Sequence, residues 1–225
     1  MSMEQLIKLE SINCWAGSLG VMNCDDEGLP IMEESRSWAS LDTEFYQHLS
    51  AEDKEKVKEI IKKLDSVPGR FEYIKSPNGI TGVVDYAHTP DALENVLRTI
   101  NNMKGNGRVI SVIGCGGDRD KSKRPLMGSI AERYADHVMV TSDNPRSESP
   151  EIIISDILAG FEQPEKAQHN TDRATAILQV IRQAQPEDVV LVAGKGHEDT
   201  QEIAGKRHSF SDQLHLQLAM GGAAI

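Results

Sequence analysis

A mainly parallel α/β sheet covered by helices is the fold class this sequence predicts, and three observations predict it. Short runs of Val, Ile and Leu recur from residue 71 onward, and they are continuous rather than alternating, as in strands buried on both faces. Stretches with helical periodicity lie between them, so strands and helices alternate along the chain. Polar, glycine-containing segments follow directly on several of the runs. In a parallel sheet that is where the ligand crevice opens, beyond the carboxyl ends of the strands.

Taken in order, residues 1–50 carry Trp15, Trp38, Cys14 and Cys24 without clear periodicity and read as a short irregular N-terminal extension with no function assigned. Ser50 as an N-cap, Glu52 and Asp53 in a first turn, and the apolar face Val57, Ile60, Ile61 and Leu64 predict a linking helix over 51–64. The main domain then occupies 65–218. Within it, strands are expected at 71–74, 80–86, 108–113, 137–141 and 188–193. Helices are expected at 90–102, 123–135, 150–160 and 172–185, with Pro90, Pro150 and Thr171-Asp172 as their starting signals.

Charge and composition narrow the function. A formal net charge of −11 argues against broad binding of a phosphate backbone, so no nucleic-acid partner is expected, although Lys121-Ser122-Lys123-Arg124 is a local basic cluster. Three cysteines, Cys14, Cys24 and Cys115, are odd in number and widely spaced, with neither a zinc-ligand spacing nor a disulfide framework. No apolar run reaches membrane-spanning length and no cationic segment precedes an apolar stretch at the start, so a soluble cytoplasmic protein without a membrane partner is the expectation.

Four segments carry candidate chemistry. Asp143-Asn144-Pro145-Arg146 ends a buried run. Its guanidinium can grip a carboxylate in a bidentate fork, and its carboxylate and amide can take an ammonium. Alone, the tetrapeptide reads equally as a turn, because Asn-Pro is a common turn dipeptide. Gly114-Cys115-Gly116-Gly117-Asp118-Arg119-Asp120 is a glycine-rich turn after a strand. It allows close backbone approach to a ligand and would project Arg119 into the crevice, yet it is neither a Walker loop nor Gly-x-Gly-x-x-Gly. Gly194-Lys195-Gly196-His197-Glu198 again follows a strand and offers Glu198 to an ammonium; the His-x-x-x-His spacing of a zinc helix is absent, and no metal ligands are expected. Asp85-Tyr86-Ala87-His88-Thr89-Pro90-Asp91 closes a strand and opens a helix. Either the helix start and His88 contact a nucleotide or phosphate, or Thr89 simply caps the helix and His88 is a polar loop residue.

Together and in this order, these segments resemble the C-terminal domain of the Mur ligases, and within that family the branch that adds diaminopimelate. The resemblance runs from about Val67-Pro68-Gly69-Arg70-Phe71-Glu72 to about Phe210-Ser211-Asp212. It implies a Rossmann-like domain and an ATP-dependent ligase of peptidoglycan biosynthesis, which joins an amino acid to a UDP-N-acetylmuramoyl peptide through an acyl phosphate. It further implies that Arg119, Asp143, Asn144, Pro145, Arg146, Gly194 and Glu198 line a pocket for meso-diaminopimelate, and that Asp85 and His88 face the nucleotide. The Asp-Asn-Pro-Arg form goes with diaminopimelate in the family, and the physics agrees: diaminopimelate has a second carboxylate that lysine lacks, and a bidentate Arg can select it.

ATP and Mg2+ are cofactors of the family, but no Gly-x-x-x-x-Gly-Lys-Ser/Thr loop occurs in this chain, nor any counterpart of the family's magnesium ligands. The expectation is a chain that binds meso-diaminopimelate but does not ligate by itself, and that meets the UDP-N-acetylmuramoyl dipeptide only if the UDP-binding and ATPase domains are supplied. Two alternatives stand beside it. One is a non-catalytic interaction or regulatory protein reusing the fold, with residues 1–50 as its partner-binding part and Trp15 and Trp38 as interface anchors, although packing against the main domain is the commoner use of such residues. The other is a folate-polyglutamate-type ligase domain, against which the tetrapeptide at 143–146 and the segment 194–198 argue.

Overall fold

The computed structural model describes residues 71–221 and, as backbone, two short strands that pair antiparallel, β1 (Met22–Cys24) and β2 (Pro30–Met32). The expected linking helix at 51–64 lies outside the described residues. From residue 72 the order is β3 (Glu72–Lys75), β4 (Thr81–Asp85), α1 (Pro90–Met103), β5 (Val109–Ile113), α2 (Lys123–Tyr134), β6 (His137–Thr141), α3 (Pro150–Leu158), β7 (Gln168–Asn170), α4 (Arg173–Gln183), β8 (Val189–Ala193), β9 (Thr200–Ile203), β10 (Lys206–Ser209) and α5 (Asp212–Ala219). The five expected strands and four expected helices are all present, within two residues at each end.

The main sheet has the order β3-β4-β8-β5-β6-β7. Only β3 is antiparallel to its neighbour; the other pairings are parallel. The continuous Val/Ile runs follow from this position. β5 is buried at every residue, and β8 at all but its first. Alternate residues feed opposite faces. Val109 and Ile113 join Leu93, Leu97, Met127 and Ile157 of α1, α2 and α3 on one side. Ile110 and Val112 join Ile177, Val180 and Leu216 of α4 and α5 on the other. The product is a three-layer α/β/α domain.

Helix starts are set by their caps. Thr89 Oγ1 accepts from Ala92 N and Asp172 Oδ1 from Thr175 N, while Pro90 and Pro150 stand at first-turn positions where no N–H partner is needed. The chain winds outward through β5, β6 and β7 with α1, α2 and α3 on one face. It then returns through α4 on the other face and inserts β8 between β4 and β5. The carboxyl end of β8 therefore opens between those of β4 and β5, which brings the loop after β8 beside the others. Six of these elements were not expected: the paired strands β1 and β2 in the extension read as irregular, and β7, β9, β10 and α5, which carry no strong apolar signature; β10 is exposed at all four residues.

Candidate functional site

Two loops build the floor of the crevice, and glycine lets them touch. The loop after β5 lies directly on the loop after β6: a Cβ at Gly114 would come within 2.5 Å of Thr141 O, and one at Gly117 within 1.9 Å of Pro145 O. No side chain fits at either position. Gly117 N donates to Asn144 O at 2.8 Å, which stitches the two loops together. Beneath them Arg124, fully buried on α2, makes a two-pronged pair with Glu148 (2.9 and 3.1 Å) and also reaches Asp156 (2.8 Å) and Gly116 O (3.3 Å). Hydrogen bonds from Arg124, Lys121 and the Asp118 amide hold the Glu148 carboxyl down at about 2, so it stays charged.

Arg146 sits in this frame with a left-handed backbone, φ 52°. A non-glycine residue there costs about 1–3 kcal/mol unless its surroundings enforce it. Here they do, because Arg146 N donates to Glu202 O (3.0 Å) and Arg146 O accepts from Ala204 N (2.7 Å), pinning the residue to the β9–β10 hairpin. Its Nη1 donates to Gly117 O at 2.8 Å, Glu202 lies 3.9 Å from its Nε, and the side chain remains 22% exposed on the crevice. Gly116 is the meeting point of two guanidinium-bearing chains: a Cβ there would lie 2.8 Å from Arg146 Nη1 and 3.6 Å from Arg119 Cγ. Arg119 itself is exposed, with Nη1 on Asp118 O at 3.2 Å.

The loop after β8 supplies the acid. Asn144 Nδ2 donates to Glu198 Oε2 (2.8 Å), while Asn144 Oδ1 accepts from Lys195 Nζ (3.1 Å) and from Glu202 N (2.9 Å). Lys195 Nζ also donates to Glu198 Oε2 at 2.8 Å. Burial pushes the Glu198 carboxyl up, but the hydrogen bonds from Lys195 and Asn144 outweigh it and hold the group below its ordinary value. Asp143 is buried, and that burial raises its carboxyl above the ordinary range, against the pull of Arg173 and Lys195. Gly194 has φ +118°, and a Cβ there would lie 2.7 Å from Asp143 Oδ2; it is the point where the two loops cross.

The structure thus brings together Asp143, Asn144, Pro145, Arg146, Gly194 and Glu198, with Arg119 joining at Gly116. One expected role changes. Asn144 Oδ1 already accepts from two donors, so this side-chain amide presents the crevice with an N–H rather than a free acceptor. Asp85 and His88 stand one strand away at the end of β4, linked through Gly194 N and Asp85 O at 3.0 Å. The Asp85 carboxylate is buried and accepts from Phe71 N and Ala87 N, both at 2.8 Å, so it braces the end of β4. His88 is exposed, with its ring 4.5 Å from that of Tyr86, and the His197 ring lies 5.4 Å from the same tyrosine. Thr89 does cap α1.

Sequence reasoning gave no role to Lys195, Glu148, Arg124, Arg173, Gln201 or Glu202, and all six hold this site. Gln201 Nε2 donates to Asp143 O at 2.7 Å. Arg173, fully buried at the start of α4, pairs with Asp212 (2.7 and 2.8 Å) and donates to Ser142 O (3.2 Å) and Ala193 O (2.9 Å), the carbonyls that precede the two loops. The available signal was a Lys placed between two glycines after a buried run. A cavity of about 490 Å³ lined by Tyr73, Lys75, Thr81, Met103 and Val189 runs along β3 and contains none of these motif residues.

Comparison with known proteins gives the family. Residues 69–196 match the family model described as Mur ligase, glutamate ligase domain. The chain belongs to the Mur ligase family. Among curated Mur ligases it is 53% identical over 167 residues to the UDP-N-acetylmuramoyl-L-alanyl-D-glutamate–2,6-diaminopimelate ligase of Ralstonia nicotianae, covering 73% of this chain and 32% of that one. It is 51% identical over 160 residues to the ligase of the same name from Aquifex aeolicus, covering 71% and 33%. A solved structure of a UDP-N-acetylmuramoyl-L-alanyl-D-glutamate–2,6-diaminopimelate ligase superposes with a TM-score of 0.65 at 43% identity, covering 76% of this chain and 36% of that one. The chain spans about a third of the length of these Mur ligases, and the part it matches is the C-terminal domain.

Proposed function

We propose that this domain binds the amino acid added by a diaminopimelate-adding Mur ligase, and that its ligand is meso-diaminopimelate. The observation that carries the reading is the convergence of Arg119 and Arg146 at Gly116, facing the ionised Glu198 across Asn144. A zwitterionic terminus needs this pairing: guanidinium for the carboxylate, a free carboxylate oxygen for the ammonium. The pocket residues also fit the names of the relatives that are about half identical to this chain. Lysine offers only one carboxylate, so a site with two arginines favours diaminopimelate.

The nucleotide side is partial. An exposed His88 ring on Tyr86, with Lys123 Nζ donating to His88 O at 2.8 Å, suits one edge of ATP rather than a phosphate cradle. ATP, when bound, supplies the activating phosphoryl group. Among the described residues no group of three His, Cys, Asp or Glu is arranged to hold a metal ion, and the residues named here act by binding and orientation. Joining the amino acid to the UDP-N-acetylmuramoyl dipeptide then requires the remaining ligase domains.

Ligand-observed NMR with meso-diaminopimelate and, separately, lysine tests this. Selective binding of diaminopimelate, abolished by Arg146→Ala, is expected. Equal response to both amino acids, or to neither, overturns the reading.

A further inference from the structure

Lys195 is one of the largest fully buried side chains of the domain although it ends in a basic amine. A buried ammonium is costly unless its donors are satisfied. Both of its acceptors belong to the pocket: Asn144 Oδ1 at 3.1 Å and Glu198 Oε2 at 2.8 Å. Neither is a structural carbonyl that any buried lysine might have met.

We propose that Lys195 is the positioning residue of the acceptor pocket, locking Asn144 and Glu198 into one arrangement that presents a single free carboxylate oxygen to the ligand ammonium. The inference rests on the reading of this site as the amino-acid pocket. The geometry carries it in three steps. Lys195 and the Glu202 amide both donate to Asn144 Oδ1, so the amide cannot flip, and Nδ2 must point at Glu198. Lys195 and Asn144 both occupy Oε2 of Glu198, so Oε1 is the oxygen left for the crevice. The ammonium also keeps Glu198 ionised. The other charges facing Glu198 are the Arg146 guanidinium and, through the buried cluster, Asp143, Arg173 and Asp212; within hydrogen-bonding distance the cation is Lys195.

The experiment combines a titration with a double-mutant cycle on the intact chain. First, carboxyl-detected NMR follows Glu198 in the wild type. It is expected to remain ionised below the ordinary carboxylate value, held there by the hydrogen bonds from Lys195 and Asn144 against the effect of burial. An ordinary titration would overturn the lock without any variant being needed. Second, meso-diaminopimelate affinity is measured for wild type, Lys195→Met, Glu198→Gln and the double variant. Lys195→Met is expected to bind about tenfold more weakly, the loss of one charge-assisted interaction. In the Glu198→Gln background the same change should add little, because Lys195 acts through Glu198. An equal loss in both backgrounds would show a merely structural role and overturn the proposal. If the wild type binds no diaminopimelate, the functional reading fails, while the Glu198 titration still decides the lock.

Discussion

Gly194 shows how one residue can be fixed by two independent constraints. Its backbone lies at φ +118°, which L side chains rarely adopt, and the space its Cβ would take is occupied by Asp143 Oδ2 at 2.7 Å. Gly194→Ala is therefore expected to displace Asp143 and weaken diaminopimelate binding by more than tenfold, with a lowered Tm; calorimetry and ligand NMR together check both. Glu148 makes the pH-dependent counterpart. Its folded-state value of about 2 lies below the unfolded value of 4.5. Its contribution is thus fully present above about pH 4.5 and drains away as pH falls towards 2. Glu148→Gln should lower Tm at pH 7, and the gap to wild type should close through that acid window. A gap that stays constant from pH 7 to pH 2 would remove Glu148 from this role. Neither residue's partner was legible in sequence: Asp143 is 51 positions from Gly194, and Arg124 is 24 from Glu148.

At the scale of elements, legibility followed hydrophobicity. β4, β5, β6 and β8 were readable because burial on both faces leaves continuous Val/Ile runs, and α1 because Leu93, Val96, Leu97 and Ile100 repeat on one face. β7 reads Gln-His-Asn at a sheet edge, and β9–β10 is a polar hairpin that holds Arg146 chiefly through its backbone, so neither leaves an apolar imprint. The candidate site divides the same way. Its loops were visible as motifs after strands, Lys195 among their residues, but the parts that Lys195 and Arg173 play beneath them were not. The helix starts of α4 and α5 are joined by the Arg173–Asp212 pair, both side chains fully buried. Arg173→Met would leave Asp212 charged and unpartnered and release Ser142 O and Ala193 O. The expected cost is about 3–5 kcal/mol in urea unfolding, and changing Asp212 to Leu as well should recover part of it. Leu97→Ala, which only opens a hole under α1, should cost about 2–5 kcal/mol without altering ligand selectivity.

For the whole molecule, the decisive property is that one ligand would bridge loops from three places in the sequence. The loops after β5, β6 and β8 are each anchored to a different strand of the sheet, and they come together around Gly116, Asn144 and Glu198. A ligand held by Arg119, Arg146 and Glu198 at once binds the folded arrangement and has no equivalent site on the unfolded chain. Linkage then requires stabilisation of about 2.7 kcal/mol at a ligand concentration 100 times Kd. For a domain of this size that is a rise in Tm of roughly 5–11 °C. Meso-diaminopimelate should produce it without ATP or any other part of a ligase, and lysine at the same concentration should produce much less. Arg146→Ala should abolish the rise without removing the fold, since its side chain is at the rim and not in either core cluster. A rise of equal size with lysine would mean that the pocket reads only the terminus common to both amino acids, and would overturn its assignment to diaminopimelate.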